Sequence, residues 1–276
     1  MTEPAIFPFP RAPAGTHVVA EPAELHDLFS QNTAAHVYAL CDLEPLYWDH
    51  SRWYRRGDAT VGLVGAEPGE LLVVSAVSTA DITGSNALLA ELAPSLPDGQ
   101  LVIGSSGMSE ALEGRCQLRW KTNEIRYSLR QHPVSRNERV ENLDGSHTSD
   151  LERLYAIEPG AAFFRVSMVS HNAFVGVWDE VHETLIAAAG VHVLSEHQRI
   201  AAIGSVYVRP DCRGRGLGTQ VTVGVLDRLQ NRVDTVGLNV SRDNTPARKI
   251  YERLGFDRVL DFEEAELSFE LPKRQR

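Results

Sequence analysis

The hydrophobic pattern divides the chain into two stretches, each mixing helical and strand-like segments. In the first, residues 21–30 carry apolar side chains at Ala23, Leu25 and Leu28, and a second helix is expected over 32–43. Apolar runs at 60–66, 71–77 and 101–104 read as strands, with a helix near 86–92 between the last two. A short helix at 108–113 and a strand at 124–129 complete this half. Residues 131–149 are polar, contain Pro133 and Gly145, and read as a linker. In the second stretch, helices are expected over 149–157 and 163–171, then strands at 173–178, 184–193 and 199–208. A glycine loop, a helix over 217–230, a strand at 236–240, a helix to Leu254 and a strand region ending near Leu271 follow. The fold class is α/β, a mixed sheet with helices interspersed. The expected domains are an extended arm over 1–15 with four prolines, an α/β domain over 16–135, a second over 140–271 and a basic tail over 272–276.

The length of 276 residues, against a typical domain of ~150 residues, fits two domains or one large one. With 43% hydrophobic and 23% charged residues, the composition is that of a folded globular protein and excludes disorder or coiled coil for the whole. A formal net charge of -10 opposes a phosphate backbone, so no nucleic-acid partner is expected. Only Lys121, Lys249 and Lys273 among the 27 basic residues are not Arg, a bias that points to a GC-rich, bacterial genome. Cys41, Cys116 and Cys212 are too few and too scattered for a disulfide framework. The histidines form no metal-ligand spacing, so no metal is expected. No apolar run approaches the ~20 residues of a membrane helix, and the proline-rich start lacks the plan of a signal peptide. The expected compartment is the cytoplasm, with no membrane partner, as a monomer or homodimer.

The richest segment runs from Ile203 to Leu229 and contains Arg213-x-x-Gly216-x-Gly218, with Gly214 inside it. A strand-like run enters the loop, Pro210 ends it, and a helix leaves, with Leu217, Val221, Val225, Leu226 and Leu229 on one stripe. Glycines at such a junction let consecutive N–H groups turn toward a pyrophosphate, where the helix dipole adds favourable potential. Arg213 and Arg215 add charge-assisted donors. The bland alternative is an ordinary strand–helix turn. Neither a Walker loop nor a dinucleotide fingerprint is present. Downstream, Thr245 reads as an N-cap, Pro246 as a first helical residue and Gly255 as the C′ residue. Ala247, Ile250, Tyr251 and Leu254 then share one face, so Tyr251 points inward with a hydroxyl that needs a partner.

The segment VYVRPDCRGRGLGT resembles the acyl-CoA-binding motif of the GNAT superfamily of N-acyltransferases. The segment LNVSRDNTPARKIYERLGF resembles that superfamily's second motif, through Asn244, Ala247, Tyr251, Gly255 and Phe256. The wording G-S-V-Y-V-x-P-x-x-R-G-R-G is closest to the branch resembling glycine N-acyltransferases. The resemblance covers residues 140–271, and YALCDLEPLYWDHSRWY resembles the degenerate first half of tandem GNAT proteins. It implies a mostly antiparallel central sheet, twice over in the chain's two halves by likeness to the tandem proteins, with the first half lacking the phosphate loop. It implies acetyl-CoA or another acyl-CoA as co-substrate, held by Val206, Tyr207, Val208, Arg213, Gly214, Arg215, Gly216, Leu217, Gly218, Thr219 and Asn244. The N–H near Val206 is implied as oxyanion donor and the Tyr251 phenol as the acid that protonates the departing thiolate. The implied acceptor is a primary amine of a small molecule, amino acid or peptide, attacking directly in a ternary complex. A non-catalytic acyl-CoA-binding or sensing module is the alternative.

Several residues carry two readings. Tyr251 is also readable as a core tyrosine, and Asn244 as a loop cap. In strand 199–208, alternation puts Ile203, Ser205 and Tyr207 on one face and Gly204, Val206 and Val208 on the other. That strand holds no acid or His, so Ser205 and Tyr207 are candidates to line the site or relay protons. His192 has a suitable ordinary pKa but reads more simply as a packed strand residue. Cys212 lacks the partners of a nucleophile. The aromatic cluster of Tyr38, Tyr47, Trp48, Trp53 and Tyr54 reads as core or as an acceptor pocket, and Gly104-Ser-Ser-Gly107 as a plain helix start.

Overall fold

The structure, a computed structural model, describes residues 8–129, 140–179, 181 and 183–269. The arm's first seven residues, the tail and most of the linker's first half lie outside these. In chain order the strands are β1 (His17–Val18), β2 (Arg52–Arg56), β3 (Ala59–Val64), β4 (Val73–Ala76), β5 (Leu101–Ser105), β6 (Gln117–Leu129), β7 (Glu141–Leu143), β8 (Phe174–Asp179), β9 (Thr184–Ser195), β10 (Ile200–Val208), β11 (Thr235–Ser241) and β12 (Asp257–Ser268). The helices are α1 (Ala23–Ser30), α2 (Val37–Cys41), α3 (Pro45–Trp48), α4 (Ile82–Leu92), α5 (Met108–Leu112), α6 (Thr148–Tyr155), α7 (Leu217–Leu229) and α8 (Thr245–Arg253). Most expected elements are present with shifted ends. The helix expected over 32–43 shortens to α2, the one over 163–171 is a 3-10 turn at Val166–His171, and the linker contains β7 and the start of α6.

The chain forms two compact units that are not contiguous in sequence. One comprises Met1–Arg126, Ser241–Asp243 and Val259–Arg276; the other comprises Tyr127–Val240 and Asn244–Arg258. The expected division into 16–135 and 140–271 therefore differs at its C-terminal end. Past Arg258, β12 runs antiparallel to β5, with Phe262 opposite Ser105 and Glu266 opposite Leu101. Ala265 and Leu267 enter the first unit's core beside Tyr54, Val61, Leu63 and Leu88. Pairing an edge strand and burying its apolar side chains is the physical reason for the exchange.

In the first unit the sheet order is β1-β2-β3-β4-β5-β12-β6, with β4 and β5 parallel. Trp53 and Tyr54 of the aromatic cluster are fully buried, and the Tyr54 hydroxyl donates to the Pro10 carbonyl at 2.6 Å, which ties down the arm. They are core, and Gly107, at φ 89°, starts α5. In the second unit the end of β6 lies next to β11, followed by β10, β9, β8 and β7. Here β10 is parallel to β11 and antiparallel to β9. Both units thus run strand, helices, three antiparallel strands, helix and a strand parallel to the third.

The apolar stripe read on α7 is buried: Val221, Val225, Leu226 and Leu229 are all fully enclosed and Leu217 is 9% exposed. The helix packs so closely that a Cβ at Gly224 would lie 2.6 Å from Val140 Cγ1. Replacing Leu226 by Ala is expected to cost about 2–5 kcal/mol through lost burial and the cavity left behind, read as a lower urea midpoint at unchanged slope.

Candidate functional site

Three segments singled out by sequence converge within the second unit. A Cβ placed at Gly218, in the first turn of α7, would stand 3.3 Å from Ile250 Cδ1 on α8 and 3.8 Å from Val208 Cγ2 at the end of β10. Glycine at this position lets the N-terminus of α7, the Tyr251 helix and the strand end meet.

The loop before α7 has the conformation its glycines permit. After a 3-10 turn at Pro210–Cys212, Gly214 has φ 76° and Gly216 φ 79°. These left-handed values cost a side chain-bearing residue strain that glycine avoids. Gly216 is the N-cap of α7 and brings no capping side chain. The first-turn N–H groups at Leu217, Gly218 and Thr219 are therefore left for an anion, with the positive end of a 13-residue helix behind them. The space where Cβ atoms would stand at Gly214 and Gly216 is open. A pyrophosphate fits this donor set.

The basic side chains around the loop are engaged. Arg213 pairs with Glu158, donates from Nε to the Val208 carbonyl at 3.1 Å, and lies 5.8 Å from the centre of the Tyr207 ring. Arg215 donates to the Asp211 carbonyl at 3.2 Å, while Arg209 pairs with Asp211 and Asp179. Glu158 also accepts from the Tyr207 hydroxyl at 2.9 Å. Burial first, and then this carboxylate, raise the Tyr207 pKa. Glu158 had no sequence signal, because it lies just past α6 and meets β10 only through tertiary folding. Cys212 is buried and free.

Strand β10 parts from its neighbours just before the loop. Its ladder to β11 ends with Ile203 opposite Leu238. Its ladder to β9 passes from Gly204 opposite Gly190 to Tyr207 opposite Ala188, leaving Ser205 and Val206 out of register. The simple alternation expected for this strand is thus broken by a bulge. Ser205 sits at φ 51°, a left-handed conformation costing a non-glycine residue about 1–2 kcal/mol. Three hydrogen bonds hold it there, at about 1 kcal/mol each. Its N–H donates to His192 Nε2 at 3.1 Å, its hydroxyl donates to the Phe163 carbonyl at 2.5 Å, and its carbonyl accepts from the Tyr155 hydroxyl at 2.6 Å. The Ser205 and Tyr207 hydroxyls both have partners inside the unit, a backbone carbonyl and the Glu158 carboxylate.

Tyr251 is 6% exposed, packs edge-on against Phe256 with ring centres 5.9 Å apart, and burial pushes its pKa up to about 12. Its hydroxyl has no hydrogen-bond partner among the described residues. The N-cap of α8 is Asn244, whose Oδ1 accepts from Ala247 N–H at 3.2 Å, rather than Thr245. An Asn carbonyl reaches the N3 amide from that position, which moves Pro246 to the second helical residue. Gly255, at φ 90°, follows the helix end. Among the described residues no cluster of three or more His, Cys, Asp or Glu could hold a metal, and no helix is long and apolar enough to cross a membrane.

Burial lowers the His192 pKa to about 4, partly opposed by a hydrogen bond to the Phe163 backbone. Nε2 accepts the Ser205 N–H, so the neutral ring carries its proton on Nδ1. Above the ordinary His value both folded and unfolded chains hold a neutral ring. Below it the unfolded chain binds a proton that the fold refuses, so the contribution of this ring to stability falls from about pH 6.5 toward 4. His192→Gln is expected to flatten that part of a stability–pH curve measured by urea melts. Other buried groups keep slopes of their own: burial lowers His36 to about 4 and lowers His171 as well, while it raises Asp42 and Glu124 to about 7, and these two carboxyls act in the opposite sense.

Residues 140–256 match the acetyltransferase (GNAT) family. A mycothiol acetyltransferase of Corynebacterium aurimucosum is 47% identical over 73 residues, 25% of this chain and 24% of that protein. One of Renibacterium salmoninarum is 33% identical over 100 residues, 36% of this chain and 27% of that protein. The chain thus aligns with about a quarter of the length of these curated relatives. Among solved structures, a Drosophila protein superposes with a TM-score of 0.69 at 16% identity, over 92% of this chain and 98% of its own. A tandem GNAT protein from the clavulanic acid biosynthesis pathway gives 0.51 at 13% identity, over 91% and 98%. These structural likenesses concern the fold. Together with the glycine loop and the Tyr251 helix, the matches place residues 140–256 in the acetyltransferase (GNAT) family.

Proposed function

We propose that the protein is an acyl-CoA-dependent N-acyltransferase, acting with acetyl-CoA as donor and a primary amine as acceptor. The observation that carries this reading is the opening of β10 from β11 beyond Ile203, directly before an uncapped helix N-terminus flanked by arginines. The loop amides of α7, with Arg213 and Arg215, are suited to the pyrophosphate. Backbone groups of Val206, Tyr207 and Val208, unpaired toward β11, are suited to the amide-bearing arm that follows it.

Bound acyl-CoA supplies an activated thioester carbonyl. The acceptor nitrogen bonds to that carbon, the carbon–sulfur bond breaks, and the sulfur leaves as a thiolate. The N–H at Val206 stabilises the oxyanion formed on the way, and the Tyr251 hydroxyl gives its proton to the thiolate. A pKa near 12 keeps Tyr251 protonated at neutral pH, as an acid must be. The proton released by the amine passes to water, and Tyr251 regains a proton from water before the next turnover. Arg213 must leave Glu158 to meet an anion; the pair is exposed and contributes about 0–1 kcal/mol, so the exchange is cheap.

The test is a thiol-release screen with acetyl-CoA over small amines, amino acids, peptides and the acceptor of the mycothiol acetyltransferases. Amino acids belong in it because of the G-S-V-Y-V wording. Release with at least one acceptor is expected. Arg213→Ala should weaken acetyl-CoA binding about tenfold, and Tyr251→Phe should lower kcat at least about tenfold with binding nearly intact. Binding of acetyl-CoA without release across the panel would instead mark a non-catalytic acyl-CoA-binding module.

A further inference from the structure

Every polar group of Ser205 is committed to a partner within the second unit. The three partners come from three places in the second unit: His192 from β9, Tyr155 from the end of α6, and Phe163 from the loop after it. They are themselves braced. The Tyr155 ring stacks on Phe164 at 4.7 Å and the His192 ring meets Phe163 edge-on at 5.6 Å. A Cβ at Gly204 would fall 2.1 Å from His192 Nε2, so glycine there is what lets the imidazole come up to the strand.

This arrangement is more than packing requires. A strand continuing in register would bond its amides to β9 and leave Ser205 unstrained. Instead the ladder is given up at Ser205 and Val206, and the left-handed turn at Ser205 fixes the plane of the next peptide, whose N–H belongs to Val206. We propose that Tyr155, His192 and the Phe163 carbonyl form a positioning clamp on Ser205 that aims the Val206 N–H at the thioester carbonyl oxygen. The proposal rests on the acyl-transfer reading. Tyr155 and His192 are positioning residues, because they act through Ser205 and exchange no proton with the reactants. Oxyanion stabilisation depends on a donor held in place before the charge develops, so loosening the clamp harms the reaction more than the binding of the donor.

The experiment compares the full-length wild type with Tyr155→Phe, His192→Leu and His192→Gln. Acetyl-CoA affinity, steady-state kinetics with an acceptor found by the screen, and thermal melts are measured on each. Tyr155→Phe removes one oxygen and keeps the stacked ring; Gln at 192 retains an acceptor for the Ser205 N–H, and Leu does not. The expected result is a fall in kcat of about tenfold or more for Tyr155→Phe and His192→Leu, with acetyl-CoA affinity within about twofold and partial rescue in His192→Gln. Unchanged kcat in Tyr155→Phe and His192→Leu overturns the clamp and leaves the enzyme reading standing. Loss of acetyl-CoA affinity with kcat unchanged overturns it too, since the network would then only shape the cofactor groove. If His192→Leu fails to fold, Tyr155→Phe decides by the same kcat criterion. A wild type that binds acetyl-CoA but releases no thiol overturns the enzyme reading, and the clamp with it.

Discussion

The second unit is organised around a set of backbone hydrogen bonds that strand β10 does not make. A parallel pair normally continues its ladder to the strand ends, because an unpaired amide inside a sheet is costly. Here pairing with β11 stops at Ile203 and Leu238, and pairing with β9 skips Ser205 and Val206. The defect is maintained by specific side chains rather than tolerated as looseness, since three hydrogen bonds converge on one strained residue. The gap it leaves is a row of backbone donors and acceptors, which suits the amide-containing arm of a coenzyme far better than an apolar cleft would.

Electrostatics add a second layer on the same side of the unit. The whole chain carries a formal charge of -10, yet Arg209, Arg213 and Arg215 gather around the start of α7. Each is held by a carboxylate or carbonyl from nearby: Asp211, Glu158, or the Val208 and Asp211 backbones. Such exposed contacts orient the guanidinium groups at little cost, and an anion bonded also to the helix N-terminus outcompetes them. The local field, not the net charge, is what an anionic cofactor meets.

Both units run the same order of elements, but their helix starts are built differently. In the first, the parallel strands β4 and β5 are joined by α4, whose N-cap Asp81 accepts from Gly84 N–H at 2.8 Å. A carboxylate in that position satisfies the helix N-terminus from within and repels an anion. In the second, Gly216 caps α7 without a side chain and leaves the same groups available. The two helix starts therefore differ, through one capping residue, in the backbone groups they leave available to an anion.

The sequence by itself determined the parts governed by local rules. The periodicity of α7, the glycines at Gly214, Gly216 and Gly255, and the inward face of Tyr251 all follow from dihedral preference and helical spacing, which neighbouring residues decide among themselves. The capping position on α8 was misread by one residue, because Asn244 and Thr245 are both good caps and only the fold chooses between them. The bulge at Ser205, the Glu158 carboxylate on Tyr207 and Arg213, and the passage of β12 into the other unit were decided by tertiary structure alone. Each depends on groups tens of residues apart meeting across strands or loops. No local pattern encodes such a meeting: a strand records which side chains are apolar, and its partners decide where its ladder ends.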